Sequence, residues 1–276
     1  MRAPIDGSVA VVTGASSGIG RELARLLAPR VRVLVLVARR RDRLEALARE
    51  LQGTSEVDVQ PCDLGDRDAL AALVDHIEQT HGHADILINN AGLGDIGMFD
   101  MAPWDKTERM IELNVRALTY LTHRLVRPMV KARRGGILMV SSGFGLTFMP
   151  GFAGYLATKH YVTGLSESLR LDVASMGVVV TQLCPGPVAT EFEEQAGNFT
   201  GMRPQRFVEI TAERCARAAL AGFERGRAMV IPGLAVRFGL WLAAITPRFV
   251  LRLVYGPGAR WFRARQDLHT KRLTAD

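Results

Sequence analysis

The sequence predicts an α/β protein, a doubly wound parallel sheet of Rossmann type with helices on both faces. Short apolar runs bounded by turn residues alternate with stretches of helical period, as in successive βαβ units. A glycine-rich turn joins the first apolar run to the first helical stretch. Of the 276 residues, 48% are hydrophobic, and no linker-like tract divides them. We therefore expect one domain over residues 1–232, with a helical C-terminal extension over residues 233–276 that is not an independent domain.

Periodicity places the individual elements. Strands are predicted at Val9–Val12, Val31–Val37, Val57–Gln60, Ile86–Ile88, Ile137–Ser141 and Val178–Cys184, with a seventh at Ala228–Ile231. Helices are predicted at Ile19–Ala28, Asp42–Leu51, Arg67–Thr80, Pro103–Arg133, Gly154–Met176 and Ala212–Arg225.

Charge and cysteine content narrow the function classes. Residues 1–200 carry 21 basic and 23 acidic side chains and residues 201–276 carry 14 and 5, so the net charge of +7 comes from the C-terminal part. No nucleic-acid-binding motif accompanies it, and we expect no nucleic-acid partner. The three cysteines, Cys62, Cys184 and Cys215, are widely spaced and form no Cys and His pattern of a metal site. They predict buried free thiols and no metal.

The first residues run directly into an apolar strand and have no signal-peptide pattern. This favours a cytoplasmic protein.

The glycine-rich turn from Thr13 to Gly20 has the residue types of a diphosphate site. Small residues let the backbone approach a phosphate, and the following helix offers free N–H groups and the positive end of its dipole. The predicted cofactor contacts here are Gly14, Ser16, Ser17, Gly18, Ile19 and Gly20.

Arginines follow the second predicted strand. An acidic residue at this point would suit the ribose 2′-OH of NAD, whereas Arg39 and Arg40 suit the 2′-phosphate of NADP. The alternative is that these arginines are only solvated, because the chain uses arginine at many positions. We expect NADP(H) to be favoured over NAD(H).

The loops after the third and fourth strands belong to the same edge of a doubly wound sheet. Adenine and ribose contacts are predicted from Asp63 and Leu64, and from Asn90, Ala91 and Gly92. Asp63 is equally suited to a turn next to a helix start.

The strongest chemical signal is Tyr155 followed by Lys159 in a predicted helix. Spacing of i, i+4 places the phenol and the ammonium on one face. Bringing a tyrosine pKa near neutrality takes about 4 kcal/mol of preferential phenolate stabilisation, for which Lys159 and a bound nicotinamide are sources. Ser142, thirteen residues before Tyr155, can donate to a substrate carbonyl.

Together these motifs resemble the short-chain dehydrogenase/reductase family over about residues 5–232. The matching residues are the turn from Thr13 to Gly20, Asp63, the segment from Asn89 to Gly92, Asn114, Ser142, Tyr155, Lys159 and the segment from Pro185 to Thr190. The resemblance implies a catalytic tetrad of Asn114, Ser142, Tyr155 and Lys159, with Asn114 holding a water that leads to Lys159.

The resemblance also implies cofactor contacts from both Tyr155 and Lys159, the latter to the nicotinamide ribose. Further contacts are implied from Pro185, Gly186, Val188 and Thr190, with Val188 and Thr190 at the carboxamide. The segment from Pro185 to Arg206 resembles the family's substrate lid.

Apolar side chains between Ser142 and Tyr155 indicate the substrate. Phe144, Phe148, Met149 and Phe152 predict a pocket for a hydrophobic ketone or alcohol, of fatty acyl, steroid or terpenoid type, although some of them suit packing under the loop.

The region from Arg225 to Gln266 contains eight arginines and no acidic residue. Its two apolar pieces, on either side of Pro247, are each too short to cross a bilayer. A helix at a membrane surface, a cap over the substrate pocket and a contact with a partner subunit all fit this pattern.

These observations predict an NADP(H)-dependent oxidoreductase acting on a hydrophobic carbonyl or secondary alcohol. A catalytically silent NADP(H) sensor and a membrane-surface adaptor are the alternatives. A homo-dimer or homo-tetramer, formed through the predicted helices Pro103–Arg133 and Gly154–Met176, is what the resemblance implies.

Overall fold

The computed structural model describes residues 1–197 and 208–273, with side chains through residue 270. Seven parallel strands form the main sheet in the order β3-β2-β1-β4-β5-β6-β9, and β7 pairs with β8 in a separate small sheet. The strands are β1 Val9–Thr13, β2 Val33–Ala38, β3 Glu56–Pro61, β4 Ile86–Asn89, β5 Gly135–Val140, β6 Val178–Leu183, β7 Val188–Ala189, β8 Ile210–Thr211 and β9 Met229–Val230. The predicted doubly wound parallel sheet is therefore confirmed.

Helices connect these strands. They are α1 Gly18–Leu27, α2 Arg41–Glu50, α3 Arg67–His81, α4 Trp104–Ile111, α5 Leu118–Ala132, α6 Ala153–Val173, α7 Phe192–Ala196, α8 Ala212–Glu224, α9 Leu234–Ile245 and α10 Arg248–Leu273. A π-helical turn, Glu112–Ala117, joins α4 to α5.

Helices cover both faces of the main sheet, and successive strand residues point to opposite faces. On β2, Leu34 and Leu36 join the core beneath α1 and α8, whereas Val33, Val35 and Val37 join the core beneath α3, α5 and α6. Burial of each such side chain contributes about 1.5–3 kcal/mol, which explains why the strands are continuous apolar runs.

The predicted helix Pro103–Arg133 needs one correction. It is interrupted by the π-helical turn Glu112–Ala117, which periodicity did not indicate. Pro103 lies just before α4, and α5 ends where Arg133 takes the left-handed conformation at φ 51°. The small sheet of β7 and β8 and the short helix α7 were not predicted either. Residues 198–206 of the predicted lid lie outside the described residues.

The predicted C-terminal extension is helical. Thr246 is extended, at φ −82° and ψ 126°, and Pro247 follows it, so the chain turns between α9 and α10. No single helix among the described residues has the length and apolarity to cross a membrane, although α9 and α10 meet the criterion as a pair bent by 120°. The three cysteines are free and buried.

Candidate active site

A cleft of about 1470 Å³ runs along the carboxyl ends of the strands of the main sheet. The loops after β1 to β6 line one side, and residues of α9 and α10 line the other. Parallel α/β sheets bind ligands at this edge, in the crevice between two neighbouring strands whose loops leave in opposite directions.

The glycine-rich turn at the floor of the cleft leaves no room for a side chain at Gly14. Gly14 and Gly18 have φ values of +67° and +55°, which favour glycine. A Cβ atom on Gly14 would lie 2.6 Å from Nδ2 of Asn90, so any substitution would displace the neighbouring loop. The turn therefore has bare backbone at Gly14 and Gly18, while Ser16 and Ser17 line the cleft with their side chains.

The first turn of α1 offers unpaired donors at this point. Ser17 precedes the helix in an extended conformation, and its side chain makes no capping hydrogen bond. The first N–H groups of a helix have no partner within the helix, so these groups are available to a phosphate.

Arg40 lies directly over the glycine-rich turn. Its guanidinium donates to Oγ of Ser17 at 2.9 Å and to Oγ of Ser16 at 3.1 Å, and it pairs with Glu191 at 2.8 Å. Arg43 contacts the second oxygen of the same carboxylate, and these hydrogen bonds hold the pKa of Glu191 below its usual range. Arg39 lines the cleft beside them.

Two predicted cofactor contacts have structural partners. Oδ1 of Asp63 accepts a hydrogen bond from the N–H of Gly65 at 3.0 Å, as a turn residue does. Nδ2 of Asn90 donates to the carbonyl of Thr13 at 2.9 Å, which fixes the loop after β4 against the glycine-rich turn.

Tyr155, Ser142 and Lys159 meet at the centre of the cleft. Ser142 follows β5, and the other two lie one turn apart near the start of α6. All three are buried but line the cleft. Nζ of Lys159 lies 5.7 Å from the centre of the Tyr155 ring and donates to the carbonyl of Val140 at 2.9 Å.

The π-helical turn holds Asn114 beneath this group. Nδ2 of Asn114 donates to the carbonyl of Leu93 at 2.8 Å and to Oγ1 of Thr158 at 3.0 Å, while Oδ1 accepts from the N–H of Leu93 at 2.8 Å. A Cβ atom on Gly92 would lie 3.3 Å from this Oδ1 and 3.5 Å from Nζ of Lys159. Asn114 thus fixes the loop that separates it from the cleft.

Burial dominates the electrostatics of the site. It raises the pKa of Tyr155 to about 12, and a hydrogen bond with Ser142 opposes this only in part. Burial also lowers the pKa of Lys159 to about 8. The expected lowering of the Tyr155 pKa by Lys159 is absent, because the ammonium is directed at Val140 and not at the phenol oxygen.

Most residues predicted for the site line the cleft. Three do not: Gly20 is buried behind the turn, Asn114 lies below Gly92, and Phe148 packs edge-on against Tyr255 with ring centres 5.6 Å apart. Those that line it are Gly14, Ser16, Ser17, Gly18, Ile19, Arg39, Arg40, Asp63, Leu64, Asn90, Ala91, Gly92, Ser142, Phe144, Met149, Phe152, Tyr155, Lys159, Pro185, Gly186, Val188 and Thr190.

The extension supplies apolar lining that the sequence did not assign to the site. Val236, Leu240 and Ala243 of α9 line the cleft, and so do Tyr255 and Phe262 of α10. The helical spacing of the three α9 residues indicates that they share one face of the helix, but it does not indicate what that face covers.

The end of α10 is fixed to the loops around the site. Phe262 is buried against Gly151 and lies 6.2 Å from the ring of Phe152. Arg263 pairs with Asp100 at 2.7 Å, and Gln266 accepts a hydrogen bond from the N–H of Met98 at 2.7 Å. Of the three roles that the sequence left open for the extension, the cap over the cleft is the one these contacts describe.

One polar atom near the apolar lining has no partner among the described residues. Oγ1 of Thr147 is buried and makes no hydrogen bond, although Thr147 lines the cleft. A buried hydroxyl without a partner is costly, so this atom is suited to a polar group of a ligand.

Comparison with known proteins agrees with this geometry. The sequence model of the short chain dehydrogenase family matches residues 8–200. Dehydrogenase/reductase SDR family member 7B of Bos taurus is 32% identical over 289 aligned residues, which cover 98% of this chain and 86% of that protein.

Two solved structures are similar. A short-chain dehydrogenase from Sphingobium yanoikuyae in complex with NADPH has a TM-score of 0.78 and 34% identity, over 86% of this chain and 93% of that one. A bulky-bulky ketone specific alcohol dehydrogenase from Comamonas testosteroni has a TM-score of 0.73 and 31% identity, over 84% and 89% of the two chains.

Proposed function

Because the chain belongs to the short-chain dehydrogenase/reductase family, we propose that it is an NADP(H)-dependent reductase of bulky hydrophobic ketones. One observation carries the proposal. Tyr155, Ser142 and Lys159 are placed between a turn suited to a diphosphate and a wall of apolar side chains from α9 and α10.

The cofactor side of the cleft fits a dinucleotide. Backbone at Gly14 and Gly18, together with the N–H groups at the start of α1, would hold the diphosphate. Arg39 and Arg40 would bind a 2′-phosphate, and Val188 and Thr190 would contact the carboxamide. The preference for NADP(H) rests on these two arginines and not on the likeness to other proteins.

The nicotinamide, when bound, supplies a hydride to the carbonyl carbon. The protein supplies the proton: the Tyr155 hydroxyl donates it to the carbonyl oxygen, which yields a secondary alcohol. Ser142 donates a hydrogen bond to the same oxygen as negative charge develops on it. Lys159 orients the cofactor ribose, and Asn114 fixes the loop carrying Gly92.

Burial keeps the Tyr155 hydroxyl protonated in the site without cofactor. A phenol with a pKa of about 12 is protonated at neutral pH, so it can donate a proton to a carbonyl oxygen. Oxidation of an alcohol would use the phenolate, which a bound nicotinamide cation would favour.

The other half of the cleft supports a bulky apolar substrate. Phe144, Met149 and Phe152 line it together with Leu240 of α9 and Phe262 of α10, so segments far apart in sequence enclose the substrate end. The solved relative that is named for bulky ketones is consistent with this. The Thr147 hydroxyl would accept or donate one further hydrogen bond to a substrate that carries a second oxygen.

Titration with NADPH and NADH, followed by assays of NADPH oxidation on aliphatic, steroid and acyl ketones, tests the proposal. Tyr155→Phe should lower kcat by about 10²- to 10⁴-fold and weaken NADPH binding by about tenfold at most, because it removes the proton donor and one hydrogen bond to the cofactor. Tyr161→Phe is the matched control, since its hydroxyl contacts Thr119 outside the cleft.

Each remaining result contradicts one part of the proposal. NADPH binding without turnover of any ketone favours the sensor. Failure to bind either nicotinamide overturns the cofactor assignment. Equal turnover in wild type and Tyr155→Phe removes Tyr155 as the proton donor.

A second role follows from the outer faces of α9 and α10. Large apolar side chains are exposed there, including Phe238 at 63% and Phe249 at 64%. Arg237, Arg248 and Arg252 are exposed beside them, and the region contains no acid from Arg225 to Gln266. We infer that these helices lie on an anionic membrane surface, where arginine and aromatic residues are favoured, and take the apolar ketone from it.

Vesicle co-sedimentation tests this role. The full chain should bind vesicles of mixed phosphatidylcholine and phosphatidylserine more strongly than pure phosphatidylcholine. Phe238→Ser with Phe249→Ser should release it, whereas Phe99→Ser, exposed at 61% outside the extension, should not. Equal sedimentation of all variants would exclude the surface.

We also propose that the chain forms a dimer or tetramer through α4, α5 and α6. Trp104 and Ile111 are exposed on α4, and Tyr161 and Leu171 are exposed on α6. Light scattering of the purified protein across concentrations tests this, and a constant monomer mass would refute it.

A further inference from the structure

A polar cluster lies on the edge strand of the sheet, apart from the cleft. Oδ2 of Asp58 is 2.9 Å from Nε2 of His76 and 2.8 Å from Nε2 of His81. One ligand atom from each of the three residues lies within 4.8 Å of the other two. None of the three residues lines the cleft.

The fold creates this cluster in two steps. Asp58 lies in the middle of β3, and α3 returns across the face of the sheet on which the Asp58 side chain lies. His76 and His81 are five residues apart, which corresponds to about 140° around a regular helix. They nevertheless converge on one oxygen of Asp58, and His81 is the last residue of α3.

With the His76 ring in the orientation that the structure gives, the protons of this cluster cannot be arranged without a conflict. Nε2 of Gln60 lies 2.6 Å from Oδ1 of Asp58 and 2.8 Å from Nε2 of His76. If the N–H of His76 donates to Asp58, the N–H of the Gln60 amide points at that same N–H. If the amide is flipped, its oxygen instead faces the carboxylate oxygen of Asp58. If His76 presents its lone pair, Gln60 is satisfied, but that lone pair faces Oδ2 of Asp58.

A cation between the lone pair and the carboxylate removes this conflict. The Gln60 amide then donates to Oδ1 of Asp58 and orients the carboxylate, as residues behind metal ligands do. Nδ1 of His76 lies 3.4 Å from Oγ1 of Thr80, which provides a partner for its remaining ring nitrogen.

We propose that Asp58, His76 and His81 bind a zinc ion that fixes the end of α3 to the edge strand. Two imidazole nitrogens and one carboxylate oxygen are ligands that zinc accepts, and water takes the fourth position. Ligand atoms of a tetrahedral zinc ion lie about 3.3 Å apart, so each imidazole moves back by about 0.4 Å. The site is reachable, because the His76 side chain is 37% exposed while that of His81 is 4% exposed.

Because none of its ligands lines the cleft, the ion would act on stability and not on ketone turnover. The ion would sit between β3 and α3, so binding adds a tether between Asp58 of β3 and the two histidines of α3. Zinc should therefore raise the Tm of the protein and leave ketone turnover unchanged.

Metal binding to tag-free full-length protein, stripped with chelator, tests the proposal. Equilibrium dialysis with Zn²⁺ should give one ion per chain, and Co²⁺ should give the visible bands of a tetrahedral site. Tm should rise with the logarithm of the free Zn²⁺ concentration, because only the folded chain holds the three ligands together.

Two variants locate the ion. Loss of a residue that only supports the ligands weakens metal affinity by about 10- to 100-fold. His76→Gln removes a ligand, so it should weaken zinc affinity by more than that. His83→Gln is the matched control, because His83 also faces a carboxylate, Asp85 at 3.4 Å, but has no second histidine. His76 is partly exposed, so its replacement should leave the fold intact.

The outcomes are distinct. Loss of zinc in His76→Gln with retention in His83→Gln supports the site. Wild type that binds neither Zn²⁺ nor Co²⁺ overturns it, and so does equal binding in wild type and His76→Gln. Should His76→Gln fail to fold, the wild-type dialysis and Co²⁺ spectrum still decide the matter.

Discussion

Arg40 and Glu191 form an ion pair at 2.8 Å across the mouth of the cleft. The pair joins the loop after β2 to the segment after β7, and Arg43 contacts the other oxygen of the carboxylate. Arg40 also donates to the hydroxyl groups of Ser16 and Ser17. A 2′-phosphate at this position would have to share Arg40 with Glu191.

Replacing Arg40 should therefore weaken the binding of NADPH more than the binding of NADH. Arg40→Ala removes a charge-assisted contact worth about 1.5–3 kcal/mol, so NADPH affinity should fall by about 10- to 100-fold while NADH affinity changes little. Glu191→Gln should strengthen NADPH binding, because it frees Arg40. Fluorescence titration measures both, with Arg41→Ala, which pairs with Glu45 outside the cleft, as control. An equal loss for NADPH and NADH would contradict the assignment.

Lys159→Met should abolish turnover yet stabilise the fold. Burial lowers the pKa of Lys159 from near 10.5 to about 8, so the unfolded chain binds this proton more tightly. At about 1.4 kcal/mol per pKa unit, the buried charge of Lys159 lowers the free energy of unfolding by about 3 kcal/mol. The variant also loses the hydrogen bond to Val140, which lowers its stability by about 1 kcal/mol. We expect a gain of about 2 kcal/mol in urea unfolding at pH 7.

The pH dependence checks the cause of that gain. The penalty is fully present below pH 8 and disappears as the pH rises toward 10.5, where the unfolded chain also loses the proton. The gain of Lys159→Met over wild type should shrink across this window. A gain independent of pH would point to packing and not to the buried charge.

Tyr155 should ionise far above neutrality until a nicotinamide binds. Burial holds its pKa at about 12, and Lys159 is directed elsewhere. The near-ultraviolet difference between wild type and Tyr155→Phe should show no phenolate at pH 9, and saturation with NADP⁺ should bring the transition to lower pH, because the cation favours the phenolate. Ionisation near neutrality without cofactor would show that Lys159 suffices.

Phe262→Ala should affect both stability and substrate use. The side chain is buried against Gly151 and Phe152, and such truncations cost about 3–5 kcal/mol in a packed core. We expect about 3 kcal/mol here, with a raised KM for bulky ketones and unchanged NADPH affinity. Phe249→Ala, at an exposed position of the same helix, should change stability by less than about 0.5 kcal/mol.

The sheet and its cofactor edge could be predicted from sequence because each depends on local pattern. Continuous apolar runs such as β2 occur where both faces of a strand are covered, and the turn after β1 needs glycine at Gly14 and Gly18 because both have positive φ. The same local reasoning placed Tyr155 and Lys159 on one helix face.

What sequence could not show depends on contacts between distant segments. Gln266 bonds to Met98, and Phe262 packs on Gly151, so the cap over the cleft is visible only once α10 is placed. The π-helical turn at Asn114 leaves no mark in the hydrophobic period. Burial of Tyr155 and of Lys159 decides their pKa values, and no pattern of residue types indicates how deeply each is buried.

The division of the cleft has an evolutionary consequence. Groups suited to the dinucleotide come from the strand loops, whereas much of the apolar wall comes from α9 and α10, which add no strand to the main sheet. Recombination or mutation within the C-terminal extension can alter which ketone is accepted. The sheet that holds the cofactor meanwhile stays under separate selection. New substrate ranges can therefore arise by recombination downstream of β9, without redesign of the reaction centre.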